Sequence, residues 1–228
     1  MTAHDVEYGA HLPLVDLGAP RSLPALGAYV RTAARLGYRY LCANDHLVFD
    51  RPWLDGPTAL AALIEASRDM TLVTTAGLAV LRGPVQLAKT LTAIDILSGG
   101  RLVAGVGPGS SAGDYAAAGI GFQERWRRFE EAGRAPEPFP SAIATTWLHV
   151  TEDKGEAERM LGEVLAPMLH RPPEELRSAP LLIGPAEVCA ERLTAWVDAG
   201  ARRIFVWPLG DELAQLERFR ERVAVTPR

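Results

Sequence analysis

The chain has 228 residues, of which 48% are hydrophobic and 23% are charged, and its formal net charge is -4. This composition is typical of a globular protein, and the length suits one α/β domain with a large core. A weakly acidic balance without blocks of like charge gives no reason to expect nucleic acid or an anionic membrane as partner. We therefore expect a single domain over residues 1–228 that acts on a small molecule.

Targeting and metal-binding signals are also missing from the sequence. The N-terminus lacks a basic region followed by an apolar core, and no apolar run approaches the roughly 18 residues of a membrane span. These features predict a cytoplasmic protein. The two cysteines, Cys42 and Cys189, lie in apolar contexts without neighbouring ligands at metal spacing, so we expect reduced core residues and no metal site.

Short apolar strands alternate with amphipathic helices along the chain. Strands are predicted over residues 6–14, 38–43, 70–80, 101–107, 141–153 and 202–208. Helices are predicted over residues 22–37, 58–67, 85–100, 123–132, 154–169, 185–200 and 211–223. This alternation is typical of a parallel α/β sheet, either a barrel or a doubly wound sheet. Six strands are two short of a full eight-unit barrel.

Apolar spacing also predicts which residues are buried. Helix 22–37 has a predicted buried stripe that includes Leu23, and helix 85–100 has one that ends at Leu97. Strand 101–107 is almost continuously apolar, which predicts burial on both of its faces. The three prolines within residues 133–140 interrupt the alternation and indicate a linker.

A polar cluster follows the second strand. Asp45, His46, Arg51 and Trp53 lie within nine positions, and in α/β barrels chemistry gathers where strands end. An imidazole that titrates near neutrality suits acid–base catalysis. The residues alone leave two interpretations open: His46 carries protons, or it only bonds backbone carbonyls and fixes the loop.

A glycine-rich segment follows the fourth strand. Gly107 and Gly109 permit a close backbone approach, and Ser110 and Ser111 have hydroxyls to donate to an anion. The spacing matches neither a dinucleotide-binding fingerprint nor a P-loop. A tight turn between a strand and a helix explains the glycines nearly as well.

Three segments together resemble the luciferase-like monooxygenase family, which comprises barrel proteins that use FMN or the deazaflavin coenzyme F-420. They are ANDHLVF, TAIDILSGGRLVAGVGPGSSAGDY and GFQERWRRFEEA, and the segments TTWLHVTED, IGPAEVCAERL and RRIFVWPLGDE are similar to the C-terminal part of such proteins. The resemblance implies a TIM-barrel-like α/β fold and a flavin- or deazaflavin-dependent oxidoreductase or monooxygenase with a small organic substrate. Typical members carry two further β-α units where this chain has only GRAPEPFP, which predicts a shortened barrel with its junction near residues 132–141.

The resemblance also implies roles for particular residues. His46, with Asp45, is expected beside the flavin ring as the acid–base group, and the glycine-rich segment is expected near the cofactor tail. A bulge, sometimes with a non-proline cis peptide, is expected to back the ring at the small residues Thr74, Thr75, Ala76 and Gly77, although such residues also suit interior packing. The remaining pocket candidates are Trp53, Trp147 and His149, for which core packing is the alternative.

The missing units motivate a second hypothesis. In the family these units include a loop that helps hold the cofactor phosphate. The second hypothesis is therefore that this chain is a degenerate barrel without redox activity. It then serves as a binding or structural subunit, or performs chemistry without a cofactor. A shortened barrel exposes strand edges, which are normally covered, and this predicts a homodimer.

Overall fold

The computed structural model describes residues 6–18, 21–133 and 143–224. Within these ranges the chain forms seven strands, one more than predicted. They are β1 (Glu7–His11), β2 (Tyr40–Ala43), β3 (Thr71–Leu78), β4 (Leu102–Gly107), β5 (Ile143–Val150), β6 (Leu182–Gly184) and β7 (Arg203–Pro208). The additional strand is β6, whose three residues are too few to give a periodic signal.

Helices separate the strands. They are α1 (Leu23–Arg35), α2 (Gly56–Ala62), α3 (Ala79–Arg82), α4 (Pro84–Leu97), α5 (Ala112–Ala117), α6 (Arg125–Ala132), α7 (Lys154–Arg159), α8 (Ala166–Leu169), α9 (Pro173–Ser178), α10 (Ala186–Asp198) and α11 (Glu212–Arg218). A π-helical segment joins α7 to α8, and another follows α11. Parallel strands that alternate with helices confirm the predicted α/β, TIM-barrel-like fold.

The chain divides into two compact units. The N-terminal unit comprises the described residues within Leu12–Ala34 and Arg39–Ser141 and contains β2, β3 and β4. Its strands are parallel in the order β4-β3-β2. Because all three strands point the same way, the segments that follow them gather at one edge of this sheet.

The C-terminal unit comprises the described residues within Met1–His11, Arg35–Tyr38 and Ala142–Arg228. Its four strands are parallel in the order β1-β7-β5-β6. Phe219 is fully buried in this unit and contacts the ring of Tyr8 edge-on at 5.2 Å. The predicted junction near residues 132–141 lies almost wholly outside the described residues.

Some predictions of burial are wrong. Leu23 and Leu97 were expected in buried stripes, but they are 57% and 70% exposed. Each lies at an end of its helix, where the apolar face no longer meets the sheet. The prediction for β4 is also wrong, since Val103 and Val106 are exposed. Within its unit β4 lies at the edge of the sheet and has only one neighbour, β3, which explains the exposure.

Three further expectations concern the cysteines, a membrane span and a metal site. Cys42 and Cys189 are free and buried, and burial raises the pKa of both thiols, that of Cys189 to about 11. Among the described helices none has the length and apolar character to cross a bilayer. Within the same residues, no group of three or more His, Cys, Asp or Glu side chains is placed to hold a metal ion.

Gly56 opens α2 at a point where the helix meets the end of β2. A Cβ atom on this residue would lie 2.1 Å from the backbone oxygen of Asn44, a contact that only backbone movement relieves. We expect Gly56→Ala to lower the free energy of unfolding by about 1–3 kcal/mol. Gly162→Ala is the matched control, because a Cβ there meets nothing within 4 Å and the substitution should stabilise its helix slightly. Chemical denaturation of both variants measures the difference, and equal stabilities would refute the close approach.

Candidate functional site

His46 forms a hydrogen-bonded pair with a buried carboxylate of the N-terminal unit. Its Nδ1 lies 2.9 Å from Oδ2 of Asp114, whose side chain is 2% exposed. The other carboxylate oxygen, Oδ1, accepts the backbone N–H groups of Leu47 at 3.0 Å and Val48 at 2.7 Å. With two backbone donors already on the carboxylate, its contact with His46 is best satisfied by an Nδ1–H donor. This arrangement fixes the orientation and the tautomer of the ring.

Two aromatic rings enclose the imidazole. Phe49 lies 4.9 Å and Trp53 lies 4.8 Å from the ring centroid of His46, and the two aromatic rings contact each other edge-on at 4.8 Å. Trp53 is itself anchored by an antiparallel bridge to Val15. The loop therefore holds His46 in an apolar three-ring cluster, and Trp53 packs against the imidazole.

Asp45 is held by an arginine from a different strand end. Oδ2 of Asp45 accepts hydrogen bonds from Nε of Arg82 at 2.6 Å and from the backbone N–H of Leu78 at 3.1 Å, and Oδ1 accepts from Nη2 of Arg82 at 2.5 Å. The same Nη2 donates to Asp55, which caps α2 through the N–H of Thr58. The loop that carries His46 runs from Asp45 to Asp55. Arg82 binds both of these residues and so attaches the loop to α3, which follows β3.

Arg82, Asp45 and Asp55 form a charged clamp on the loop, and their opposite charges stabilise one another. The hydrogen bonds that Arg82 donates to Asp45 are the main reason that the pKa of Arg82 is raised. Burial raises the pKa of Asp55, but hydrogen bonds from Thr58 and Arg82 outweigh burial and hold that pKa below its ordinary value. Asp45, with a side chain only 2% exposed, is therefore committed to its ion pair.

A bulge interrupts β3 at the predicted position. The register with β4 shifts between Thr74 and Gly77, and the peptide bond between Thr75 and Ala76 is cis. Thr74 donates its hydroxyl to the backbone oxygen of Gly105 at 2.7 Å. A Cβ on Gly105 would lie 2.3 Å from the backbone oxygen of Thr74, so glycine is required for this close approach.

Two buried polar atoms near the bulge have no hydrogen-bond partner among the described residues. They are Oδ1 of Asn44, which follows β2, and Oγ1 of Thr75. Asn44 is only 9% exposed. Buried polar atoms are ordinarily paired, so unpaired ones point to a bound water or ligand. Thr75 is one of the residues that the family resemblance places next to a flavin ring, and Asn44 lies two residues before His46, so in this respect the residues present fit such a group.

The glycine-rich segment forms a tight turn that is closed by its own hydrogen bonds. Ser111 caps α5 by accepting the N–H of Asp114 at 3.1 Å, and Tyr115 donates its hydroxyl to the backbone oxygen of Pro108 at 2.5 Å. Gly109 has a φ of +84°, and a Cβ there would lie 2.8 Å from Leu78. The turn holds Asp114 under the loop that carries His46. For Gly107, Gly109, Ser110 and Ser111 the predicted contact with a cofactor tail stays a prediction.

The last two pocket candidates lie in the C-terminal unit. Trp147 packs against Trp207 with ring centroids 4.7 Å apart. His149 is 3% exposed, and both of its ring nitrogens are engaged, Nδ1 with the backbone oxygen of Leu209 at 2.9 Å and Nε2 with Glu156 at 3.2 Å. This geometry agrees with the alternative of a satisfied core histidine.

Sequence reasoning did not single out Arg82 or Asn44. The signal for Arg82 was weak, since a lone arginine ahead of Gly-Pro reads as a helix end. Asn44 directly precedes Asp45 and His46, and its amide oxygen has no hydrogen-bond partner among the described residues. Sequence spacing carries no signal for contacts of this kind.

Comparison with known proteins gives a family match and several similar structures. A family model described as luciferase-like monooxygenase matches residues 10–138, more than half of the chain. A search of curated proteins found no match.

Solved structures resemble the chain over almost its whole length. The monooxygenase RslO1 from Streptomyces bottropensis is 17% identical with a TM-score of 0.71, and the match covers 95% of this chain and 98% of that one. The oxygenating constituent of 3,6-diketocamphane monooxygenase from Pseudomonas putida, in complex with FMN, is 13% identical with a TM-score of 0.66 and coverages of 98% and 100%. An F420-dependent secondary alcohol dehydrogenase with an F420–acetone adduct is 11% identical with a TM-score of 0.69 and coverages of 96% and 98%. At these identities the likeness establishes the fold.

Proposed function

Because the chain belongs to the luciferase-like monooxygenase family, we propose that it is a flavin- or deazaflavin-dependent oxidoreductase or monooxygenase that acts on a small organic substrate. The observation that carries this proposal is the pair of His46 and Asp114 where β2 ends. A buried carboxylate that fixes an imidazole is a frequent way to prepare an acid–base group.

His46 is the proton carrier in this proposal. Asp114 holds Nδ1, so Nε2 faces the reacting groups and takes or returns a proton during turnover. Phe49 and Trp53 keep the ring in place and exclude water from one side of it. We assign Asp45 to anchoring the loop through Arg82, because its carboxylate is already bound on both oxygens.

In this proposal the ring of the flavin or deazaflavin lies against the bulge of β3. The small residues Thr75, Ala76 and Gly77 let a flat group approach the backbone, and the unpaired atoms of Asn44 and Thr75 lie near the bulge. When bound, a flavin or deazaflavin supplies the redox chemistry, and the protein contributes position and proton transfer. FMN is bound by the similar diketocamphane monooxygenase and F420 by the similar alcohol dehydrogenase, which supports either coenzyme.

Binding of the coenzyme tests the proposal. We expect purified protein to bind FMN or F420 with a dissociation constant in the micromolar range or below, seen as a change in absorbance and quenching of coenzyme fluorescence. Heat-denatured protein at equal concentration is the control. No binding of either coenzyme at high micromolar concentration would overturn the proposal and favour a degenerate barrel without redox activity.

We also propose that the chain forms a homodimer. The support is the exposed apolar surface at β4 and at the end of α4, where Val106 and Ile96 are 45% and 72% exposed. Apolar surface of this kind on an edge strand is normally covered. Light scattering at micromolar concentration should give twice the chain mass, and a monodisperse monomer would contradict the proposal.

A further inference from the structure

The unpaired atoms of Asn44 and Thr75 belong to residues that directly follow one register pair of neighbouring strands. Ala43 of β2 and Thr74 of β3 are register partners in neighbouring parallel strands, and Asn44 and Thr75 are the residues that follow them along the chain. The amide oxygen of Asn44 and the hydroxyl of Thr75 are both buried without a hydrogen bond from the described residues. Two buried polar atoms without hydrogen-bond partners therefore belong to the residues that come directly after one pair of register partners.

Such atoms are unfavourable unless something binds them. A buried polar group without a partner costs stability that an apolar group of the same shape would not. The neighbouring hydroxyl shows the contrast, because Thr74 donates to the backbone oxygen of Gly105 and is satisfied within the protein. Two polar groups without hydrogen-bond partners in a candidate site instead indicate a ligand that forms hydrogen bonds with them.

The chemistry of the two atoms defines the ligand group. The amide oxygen of Asn44 accepts hydrogen bonds only, so the ligand must present an N–H or O–H donor there. The hydroxyl of Thr75 both donates and accepts, so it can also bond a carbonyl oxygen. A ligand that fits both residues therefore has a donor beside an acceptor along one rigid edge. A cyclic imide has this pattern, and flavins and deazaflavins both carry one on their pyrimidine ring.

We infer that Asn44 and Thr75 bind the imide edge of the coenzyme ring, with Asn44 accepting the ring N–H and Thr75 donating to a neighbouring carbonyl. This inference rests on the proposed function and adds the residues that hold the polar end of the ring. Because the imide is common to both coenzymes, these contacts provide affinity without selecting between them.

A methylated coenzyme tests the contact of Asn44 directly. The probe is whichever of FMN and F420 the wild-type protein binds, compared with its derivative methylated at the imide nitrogen, and the readout is quenching of fluorescence. We expect methylation to raise Kd about 3- to 10-fold in the wild type, the effect of one lost hydrogen bond. In Asn44→Leu the unmodified coenzyme should bind about 3- to 10-fold more weakly and methylation should have little further effect.

Protein stability without coenzyme provides a second readout. Thr75→Val removes an unpaired hydroxyl and should raise the Tm of the free protein by about 2–4 °C while raising the Kd of the coenzyme. Thr74→Val is the matched control on the same strand, because it removes a hydroxyl that is bonded to Gly105 and should lower the Tm.

The outcomes separate this inference from the proposed function. A wild-type protein that binds neither coenzyme contradicts both. A wild-type protein that binds the methylated and unmodified coenzymes equally well, or a Thr75→Val variant that lowers Tm as Thr74→Val does, overturns the inference alone.

Discussion

Replacing His46 with alanine should lower the turnover number of the coenzyme-loaded protein by about 10²- to 10⁴-fold, the usual contribution of a positioned acid–base group. The expectation follows from the contact of Nδ1 with Asp114, which leaves Nε2 as the proton-exchanging nitrogen. Steady-state kinetics over pH 5–9 measure the effect.

Asp114→Asn separates tautomer control from loop anchoring. The asparagine oxygen still accepts the N–H groups of Leu47 and Val48, but its NH₂ group then faces Nδ1 of His46 and favours the wrong tautomer. We expect a large loss of turnover with little loss of loop order, as in other carboxylate–histidine pairs. The assignment fails if both variants keep wild-type turnover and an unchanged pH profile while they bind coenzyme.

Removing Arg82 should give the largest loss of stability. Arg82→Leu leaves the carboxylate of Asp45 buried without its partner, and breaking a buried pair in this way costs about 3–5 kcal/mol. The free energy of unfolding from urea denaturation measures the loss. Adding Asp45→Asn should recover part of it, because the double variant no longer buries an unpaired charge.

An exposed arginine provides the control for Arg82. Arg127 pairs with Glu124 and Glu131 on the surface of α6, where its side chain is 59% exposed. Solvent-exposed pairs contribute little, so Arg127→Ala should stay close to the wild type in stability. If Arg82→Leu is no more destabilising than Arg127→Ala, the proposed clamp does not hold the loop.

Local patterns predicted most of the secondary structure. Strands β2 and β3 and helices α1 and α4 lie where apolar periodicity placed them, because their buried faces repeat over enough residues to be read. The bulge at Thr75 was expected from the family resemblance, and the structure has it. The strand end that carries His46 was likewise predictable, since a polar cluster directly follows an apolar run.

Contacts between distant segments were not predictable. Asp45 and Arg82 are 37 residues apart, and His46 and Asp114 are 68 residues apart, so no periodicity relates them. The sequence therefore grouped Asp45 with His46 as a catalytic pair, whereas the geometry commits Asp45 to an ion pair. Exposure of β4 was missed for a similar reason, because an apolar run does not reveal how many neighbours a strand has.

The most direct test of a coenzyme ring beside His46 is side-chain NMR of the histidines during titration with the coenzyme that binds. Long-range ¹H–¹⁵N spectra report both ring nitrogens, and His170 at the exposed end of α8 provides a reference signal. We expect His46 to carry its proton on Nδ1 and its resonances to shift in proportion to bound coenzyme, while those of His170 stay in place. Saturation of the protein with no movement of the His46 signals would contradict this expectation.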